Sequence, residues 1–298
     1  MGREQPGRDL LRTSTAGAGP VNALSVDVED YFQVSAFEPH IPRSDWERVP
    51  ARIEPNMDRI LELFAEAGTR ATFFILGWVA ERFPDLVRRV AREGHEVASH
   101  GWDHVRVTRT TPEQFREDVA ATRRLLEDIS GQPVQGYRAP SYSIGAQTLW
   151  ALRVLQEEGY RYSSSIYPIA HDLYGMPGAS RFPFRPEGLD LLEIPVSTVP
   201  VGGRNFPCGG GGFFRLYPYP VSRWAIRRVN RGEDRPCNFY FHPWEIDPGQ
   251  PRQPGLPLRT RFRHYLNLGR TERRLRRLLG DFRWDRMDRV FLTREAIQ

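Results

Sequence analysis

The chain of 298 residues contains no lysine, so all 42 of its basic residues are arginine. Against 37 acidic residues this leaves a formal net charge of +5. A GC-rich coding sequence produces arginine-only usage, so the bias does not by itself indicate a polyanionic partner, although the guanidinium fork suits phosphate and carboxylate. Cysteine is nearly missing as well. Cys208 and Cys237 are the only two, which excludes a disulfide-stapled scaffold, and their spacing fits no zinc ribbon. No apolar run reaches the roughly 18 residues that a membrane-spanning helix needs. Residues 1–20, rich in Gly, Arg, Ser, Thr and Ala, lack the apolar stretch of a secretory signal. These absences lead us to expect a cytoplasmic protein, with a membrane-peripheral position compatible with its charge. Hydrophobic residues at 40% and aromatics at 12% exclude a disordered or collagen-like chain.

Two alternating periodicities organise the rest. A short apolar strand over residues 23–26 runs into Asp27. Ile53, Met57, Ile60, Leu61 and Phe64 recur at helical spacing over residues 53–67, and Gly68 closes that helix. A strand over 69–75, a helix over 80–92, a strand over 96–99 ending at His100 and an amphipathic helix over 112–130 follow. A strand over 134–137 then leads to Arg138, with a helix over 147–158 and a strand-like stretch over 159–162 after it. Residues 182–201 are Pro-rich and strand-like, and 238–241 form a last β segment running into His242. A Pro/Gly linker over 248–257 precedes a basic helix over 259–279 and a strand-like end over 289–292. We find no internal repeats. Strands alternating with helices predict a parallel α/β architecture. In α/β barrels the site is built at the C-terminal strand ends, so Asp27, His100, Arg138 and the serines from Ser163 are expected on one rim. The chain divides into a flexible tail (1–21), a barrel (22–250) and a C-terminal basic extension (251–298). Residues 252–298 carry 13 arginines and 5 acids, so the positive excess belongs to this segment. It is expected to pack on the barrel or to meet an anionic surface.

Four constellations carry chemistry. Asp27, Glu29 and Asp30 crowd three carboxylates at a strand end, where mutual repulsion calls for a cation or a catalytic duty; a solvated capping turn is the plain alternative. His100 and His104, at i and i+4, fall on one face of a helical turn and can reach one metal ion. Two imidazoles and a carboxylate suit zinc or a similar divalent ion. Arg138, followed by Ala139 and Pro140, can present a rigid fork to a carboxylate. His242 follows an aromatic strand and can serve as a general acid near neutral pH. His40, His95, His171 and His264 lack such settings and read as structural or surface residues. The run from Gly209 to Gly212 lacks the Lys-Ser/Thr of a phosphate loop and reads as a flexible substrate-side loop before Phe213.

Taken together and in order, Asp27 with Glu29 and Asp30, then His100 and His104, then Arg138-Ala139-Pro140, then Phe241-His242, resemble the polysaccharide deacetylases of carbohydrate esterase family 4, the NodB-homology domain. Residues 25–34, 69–84, 136–145, 193–198, 238–247 and 264–282 resemble more narrowly a bacterial subgroup linked to exosortase and exopolysaccharide gene clusters. The resemblance covers roughly residues 22–292. It implies a distorted (β/α) barrel of the NodB-homology type, here with a C-terminal basic helical extension, and a metal-dependent N-deacetylase acting on an N-acetylated polysaccharide or oligosaccharide. Zinc is the first expectation for the metal, with cobalt, manganese or nickel as alternatives.

By the same resemblance Asp27 is the catalytic base, Arg138 the residue that orients it and His242 the general acid toward the leaving amine. His100 and His104 are metal ligands. The third ligand is Glu29 or Asp30, with Glu29 preferred because it shares a strand face with Asp27. Pro140, Tyr142, Trp102 and Trp244 are expected at the substrate, with Phe213 as a further sugar-stacking ring and the Tyr142 backbone N–H as an oxyanion donor. The sequence departs from the family at Ser163, where an aspartate is usual, which puts the tuning of His242 in question. Other readings are a catalytically impaired glycan-binding relative, a two-His-one-carboxylate iron oxygenase and a non-catalytic module using its Arg-rich tail. Nucleic acid is not an expected partner; contact with an anionic membrane or with exopolysaccharide machinery through the basic segment is.

Overall fold

The computed structural model of the chain describes residues 19–171 and 174–292. The tail expected over residues 1–21 therefore lies, except for its last three residues, outside the described residues. In chain order the elements are β1 (Asn22–Val28), α1 (Ile53–Glu66), β2 (Thr72–Ile75), α2 (Gly77–Arg82), α3 (Pro84–Arg92), β3 (Glu96–Ser99), α4 (Pro112–Ser130), β4 (Gly136–Tyr137), α5 (Trp150–Glu157), β5 (Tyr162–Ser163) and β6 (Leu192–Glu193). A hairpin of β7 (Thr198–Val201) and β8 (Arg204–Pro207) follows, then α6 (Gly211–Leu216), α7 (Tyr219–Arg227), β9 (Asn238–Phe241), α8 (Leu258–Tyr265), α9 (Leu268–Asp281), β10 (Trp284–Asp285) and α10 (Met287–Phe291). Eight strands pair in parallel: β1 to β6 neighbour one another in sequence order, and β1 also pairs with β9 and β10. The sheet curls into an open barrel with helices outside, as the alternation predicts. That parallel sheet is not the antiparallel jelly roll on which the oxygenase reading depends.

Strand alternation sorts the side chains. On β1, Leu24, Val26 and Val28 join the large apolar layer shared with α1, α3 and α4. Ala23 joins a smaller interior cluster with Phe74, Ala98, Tyr162, Ile194, Met287 and Phe291. The barrel interior is therefore apolar at its base. Above it, Ser25 and Asp27 contribute a buried polar layer. The remaining gap, between β6 and β9, is closed by loop backbone. Tyr240 N–H donates to the Gly209 carbonyl at 2.8 Å, and Gly210 bridges Tyr240. Gly209, Gly210 and Gly211 thus form a buried seam rather than the expected flexible loop. Gly210 has φ 107°, and a Cβ there would stand 1.9 Å from the Tyr240 carbonyl oxygen, so only glycine fits.

Local chemistry explains where the expected elements shift. Thr111 and Gln114 form a capping box at the start of α4. Pro84 forces Phe83 out of helical geometry and splits the expected 80–92 helix into α2 and α3. The basic helix expected over 259–279 breaks at Asn267, which takes a left-handed φ of 55°. The strand expected over 289–292 is instead the end of α10.

The C-terminal segment is built into the barrel. β10 pairs with β1 at Asn22 and Ala23, and α10 seats Met287 and Phe291 in the base of the barrel. Part of its positive charge is used in packing: Arg276 pairs with Glu66, and Glu272 with Arg59 at 2.5 Å.

Glu96 marks the contact between α10 and the barrel. Its carboxylate is buried and accepts hydrogen bonds from Thr72 Oγ1 (2.5 Å), Tyr162 Oη (3.0 Å) and the Asp288 backbone N–H (3.2 Å). Burial, and then the Asp288 charge, push its pKa well above the ordinary carboxylate range. The folded state thus holds a proton that the unfolded chain releases, so stability falls as pH rises above the unfolded value. Replacing Glu96 by Gln removes that linkage. Thermal unfolding should then lose less Tm between about pH 5 and pH 8 than in the wild type, and an unchanged slope would show that Glu96 titrates normally.

Candidate active site

Each candidate residue lies at or just beyond a C-terminal strand end. Asp27 is the penultimate residue of β1, and the Glu29 N–H donates to its carbonyl at 3.0 Å. Val28 faces the outer apolar layer, so Asp27 and Glu29 emerge on the same, inner side. His100 follows β3, Arg138 follows β4 and His242 follows β9.

Arg138 is fully buried and spans the barrel interior. Its Nη1 donates to Asp27 Oδ1 at 2.5 Å and to Ser25 Oγ at 2.8 Å. Its Nη2 donates to Ser164 Oγ at 3.0 Å and touches Met287 Sδ at 3.7 Å, while Phe74 lies under its guanidinium at 4.0 Å. A buried charge needs partners of this kind. The result is a carboxylate held in one orientation, with Oδ2 directed to the Tyr142 hydroxyl at 3.4 Å and to His242 Nε2 at 3.9 Å.

Glu29, His100 and His104 form a second unit, their ligand atoms all within 4.8 Å of one another. The His100 Nδ1 is 2.8 Å from the Arg138 backbone carbonyl, which fixes its ring and leaves Nε2 for the site. His104 does not sit on the helical turn that its spacing suggests. Residues 100–106 are a loop, and His104 adopts a left-handed φ of 58° that swings its ring back, 5.4 Å from that of His100. Glu29 Oε2 is 2.8 Å from His104 Nε2 yet buried without a hydrogen-bond partner.

That orphaned oxygen beside two imidazoles is what a divalent cation would satisfy. The electrostatics agree. Burial works to raise the Glu29 carboxyl, but His104, His242 and His100 outweigh it and hold it down at about 2. Burial pushes His100 down to about 4, which leaves a neutral imidazole at neutral pH. Two imidazole nitrogens and one carboxylate oxygen fit zinc or a similar ion.

Asp30 is not part of this unit, which corrects its place among the ligands. Its Oδ1 accepts the Tyr31 N–H at 2.8 Å, and its Oδ2 accepts the Arg52 and Ile53 N–H groups at 2.6 and 3.0 Å. The next position along the chain turns the carboxylate away from the histidines and onto the exposed donors at the start of α1. Burial lifts its pKa to about 6 despite these bonds.

His242 faces Asp27 and Glu29 from the opposite side, with Nε2 3.5 Å from Glu29 Oε1. Its side chain is 17% exposed, against 3% or less for those two carboxylates, so it borders the opening. Its Nδ1 is 2.6 Å from Glu245 Oε1. Burial opposes the cation, but Glu29, Glu245 and Asp27 outweigh it and lift His242 to about 9.

The expected substrate contacts fare less uniformly. Trp244 is buried, not open to a sugar. It stacks between His242 (5.1 Å) and His264 (4.4 Å) and its indole N–H donates to Glu29 Oε1 at 3.3 Å. The Tyr142 N–H donates to Ala139 O at 3.0 Å, so it is not a free oxyanion donor. Its ring is buried among Tyr167, Tyr174 and Tyr240, against which Phe213 packs. Pro140 is buried beside Gly101. Trp102 is half-buried, with its ring over Gly77. Residues that the sequence reading missed are Glu245, Arg215 and Ser25. For Glu245 a signal existed: a proline followed two residues later by an acid is the pattern of a capped helical turn whose acid folds back.

Residues 46–163 match the family described as polysaccharide deacetylase, and residues 164–292 match a domain of unknown function, DUF3473. The chain is 32% identical over 82 residues to the peptidoglycan-N-acetylglucosamine deacetylase of Bacillus cereus, covering 28% of this chain and 30% of that protein. It is 29% identical over 92 residues to a chitooligosaccharide deacetylase of Bradyrhizobium sp., covering 31% of this chain and 42% of that one. The chain thus spans less than half the length of either relative. A Mycobacterium smegmatis protein of known structure, named as a polysaccharide deacetylase, superposes with a TM-score of 0.61 at 19% identity over 93% of this chain and 90% of its own. At that identity the likeness is one of fold.

Proposed function

We propose that this chain, whose residues 46–163 match the polysaccharide deacetylase family, hydrolyses N-acetyl groups on an N-acetylated polysaccharide, giving acetate and a free amine on the glycan. The observation that carries this reading is the convergence of three units on one rim: the Asp27–Arg138 pair, the Glu29, His100 and His104 cluster, and His242 opposite. Glu29, His100 and His104 would hold a divalent ion, with zinc our first assignment and cobalt, manganese or nickel the alternatives. Such an ion supplies Lewis acidity toward the acetamide carbonyl and the attacking water. Asp27, oriented by Arg138, takes the proton from that water. His242 stands on the other side of the site and gives a proton from Nε2 to the departing amine. Partial burial of all these groups strengthens each interaction relative to water.

The substrate assignment to a polymer, and its setting in exopolysaccharide assembly, rest on the family resemblance. We place the enzyme in the cytoplasm, where the thiols of Cys208 and Cys237 would stay reduced. The Arg-rich segment from residue 252 favours contact with an anionic surface or with exopolysaccharide machinery. The deciding assay is acetate release from a panel of N-acetylated glycans with and without chelator. Release that chelator abolishes and a divalent ion restores is expected; release insensitive to chelator on every glycan would refute the metal-dependent reading.

A further inference from the structure

The sequence leaves Ser163 where a carboxylate would be expected to serve the general acid, and the structure does not repair this through that serine. Ser163 Oγ donates to Ser165 Oγ at 2.8 Å. A different carboxylate reaches His242. Glu245 Oε1 lies 2.6 Å from His242 Nδ1 and also accepts the His242 backbone N–H at 3.3 Å. Its other oxygen accepts Arg215 Nε at 2.7 Å. Glu245 and Arg215 are 1% and 2% exposed, so this is a buried pair and not a surface contact.

Arg215 is itself fixed. Its Nη1 donates to the His264 and Leu266 carbonyls at 2.7 and 3.0 Å, while Asn267 and Arg274 donate to its backbone carbonyl. Trp244 covers the flat face of the His242 ring. A carboxylate without a proton can only accept, so the bond at Nδ1 requires the imidazole proton there. That leaves Nε2 as the atom that meets Asp27, Glu29 and the reacting amide.

We infer that Glu245, anchored by Arg215, is the positioning residue of His242, supplying from the 164–292 segment the carboxylate that Ser163 does not. The inference rests on the deacetylase reading for its kinetic consequence but not for its structural one. It also gives the domain of unknown function a role. The segment carries the general acid, the carboxylate behind it and the arginine behind that, so it completes the site begun by residues 27–142.

The test uses the full chain with selectively 15N-labelled histidine, in wild type, Glu245→Gln, Glu245→Asp and the double variant Glu245→Gln/Arg215→Met. The double variant removes both buried charges together, so it stays interpretable if Glu245→Gln alone unfolds by stranding Arg215. In wild type the His242 Nδ1–H is expected to give a low-field resonance, lost in Glu245→Gln and in the double variant and kept in Glu245→Asp. With an N-acetylated chitooligosaccharide, kcat should fall about 10- to 1,000-fold in Glu245→Gln with KM within about twofold, and Glu245→Asp should recover part of it. A low-field resonance that persists without Glu245, or a folded Glu245→Gln variant with unchanged kcat, would overturn the assignment. If wild type releases no acetate, the deacetylase reading fails while the resonance still decides the role of Glu245.

Discussion

An Asp27→Asn enzyme is expected to deacetylate about 10²- to 10⁴-fold more slowly than wild type while keeping its full metal content. The two halves of that result come from two separable units. Asp27 is bonded to Arg138 and Ser25 supports the same arginine, whereas the candidate ligands are Glu29, His100 and His104. An amide has nearly the shape of the carboxylate and can still accept from Arg138, but it cannot take a proton from water. Arg138 is fully buried, so loss of its counter-charge will cost stability, on the order of 3–5 kcal/mol if no other group compensates. Melting curves recorded at the assay pH separate that cost from the catalytic one. A folded, metal-loaded variant with activity within a few-fold of wild type would remove Asp27 from the role of base.

The way these units assemble shows what a sequence can and cannot disclose. Period-2 alternation was enough to put Asp27 and Glu29 on one face with Val28 on the other, and period-3.6 patterning placed α1 and α4 almost to the residue. The strand-end rule gathers Asp27, His100, Arg138 and the serines from Ser163 on one rim. What was not legible depended on backbone geometry or on long-range packing. The i, i+4 spacing of His100 and His104 suggested a helix, but the pair meets through a left-handed loop residue. Trp244 looked like an exposed sugar platform because aromatic content does not reveal which face is covered; α8 covers it through His264. His264, read as structural or surface, is buried and bonded to Gln250 at 2.7 Å. Burial, followed by the Arg215 charge, pushes it down to about 3, so it stays neutral beside Trp244. The two-residue strand β10 carries too little pattern to be read, and so the pairing by which the C-terminal segment joins β1 was not legible.

Removing one ligand of the candidate metal unit should abolish both metal binding and activity, and the adjacent acid should behave in the opposite way. Glu29→Ala and His104→Ala each leave a site with two donors, too few to hold a divalent ion against solvent. Chelator-treated wild type should regain stability when zinc is added, by about 2.7 kcal/mol at a hundredfold excess over Kd, because only the folded state presents the three donors together. Neither variant should show that gain. Asp30→Asn is expected to keep the zinc-dependent gain in full while starting from a lower Tm. Its carboxylate accepts three backbone N–H groups, two of them at the start of α1, and an amide can replace only some of these bonds. Loss of a helix-start acceptor costs about 0.5–2 kcal/mol. Calorimetric zinc titration of the three variants therefore decides between the two acids that adjoin in sequence. If Asp30→Asn lost the metal and Glu29→Ala retained it, the geometry assigned to the cluster would be wrong.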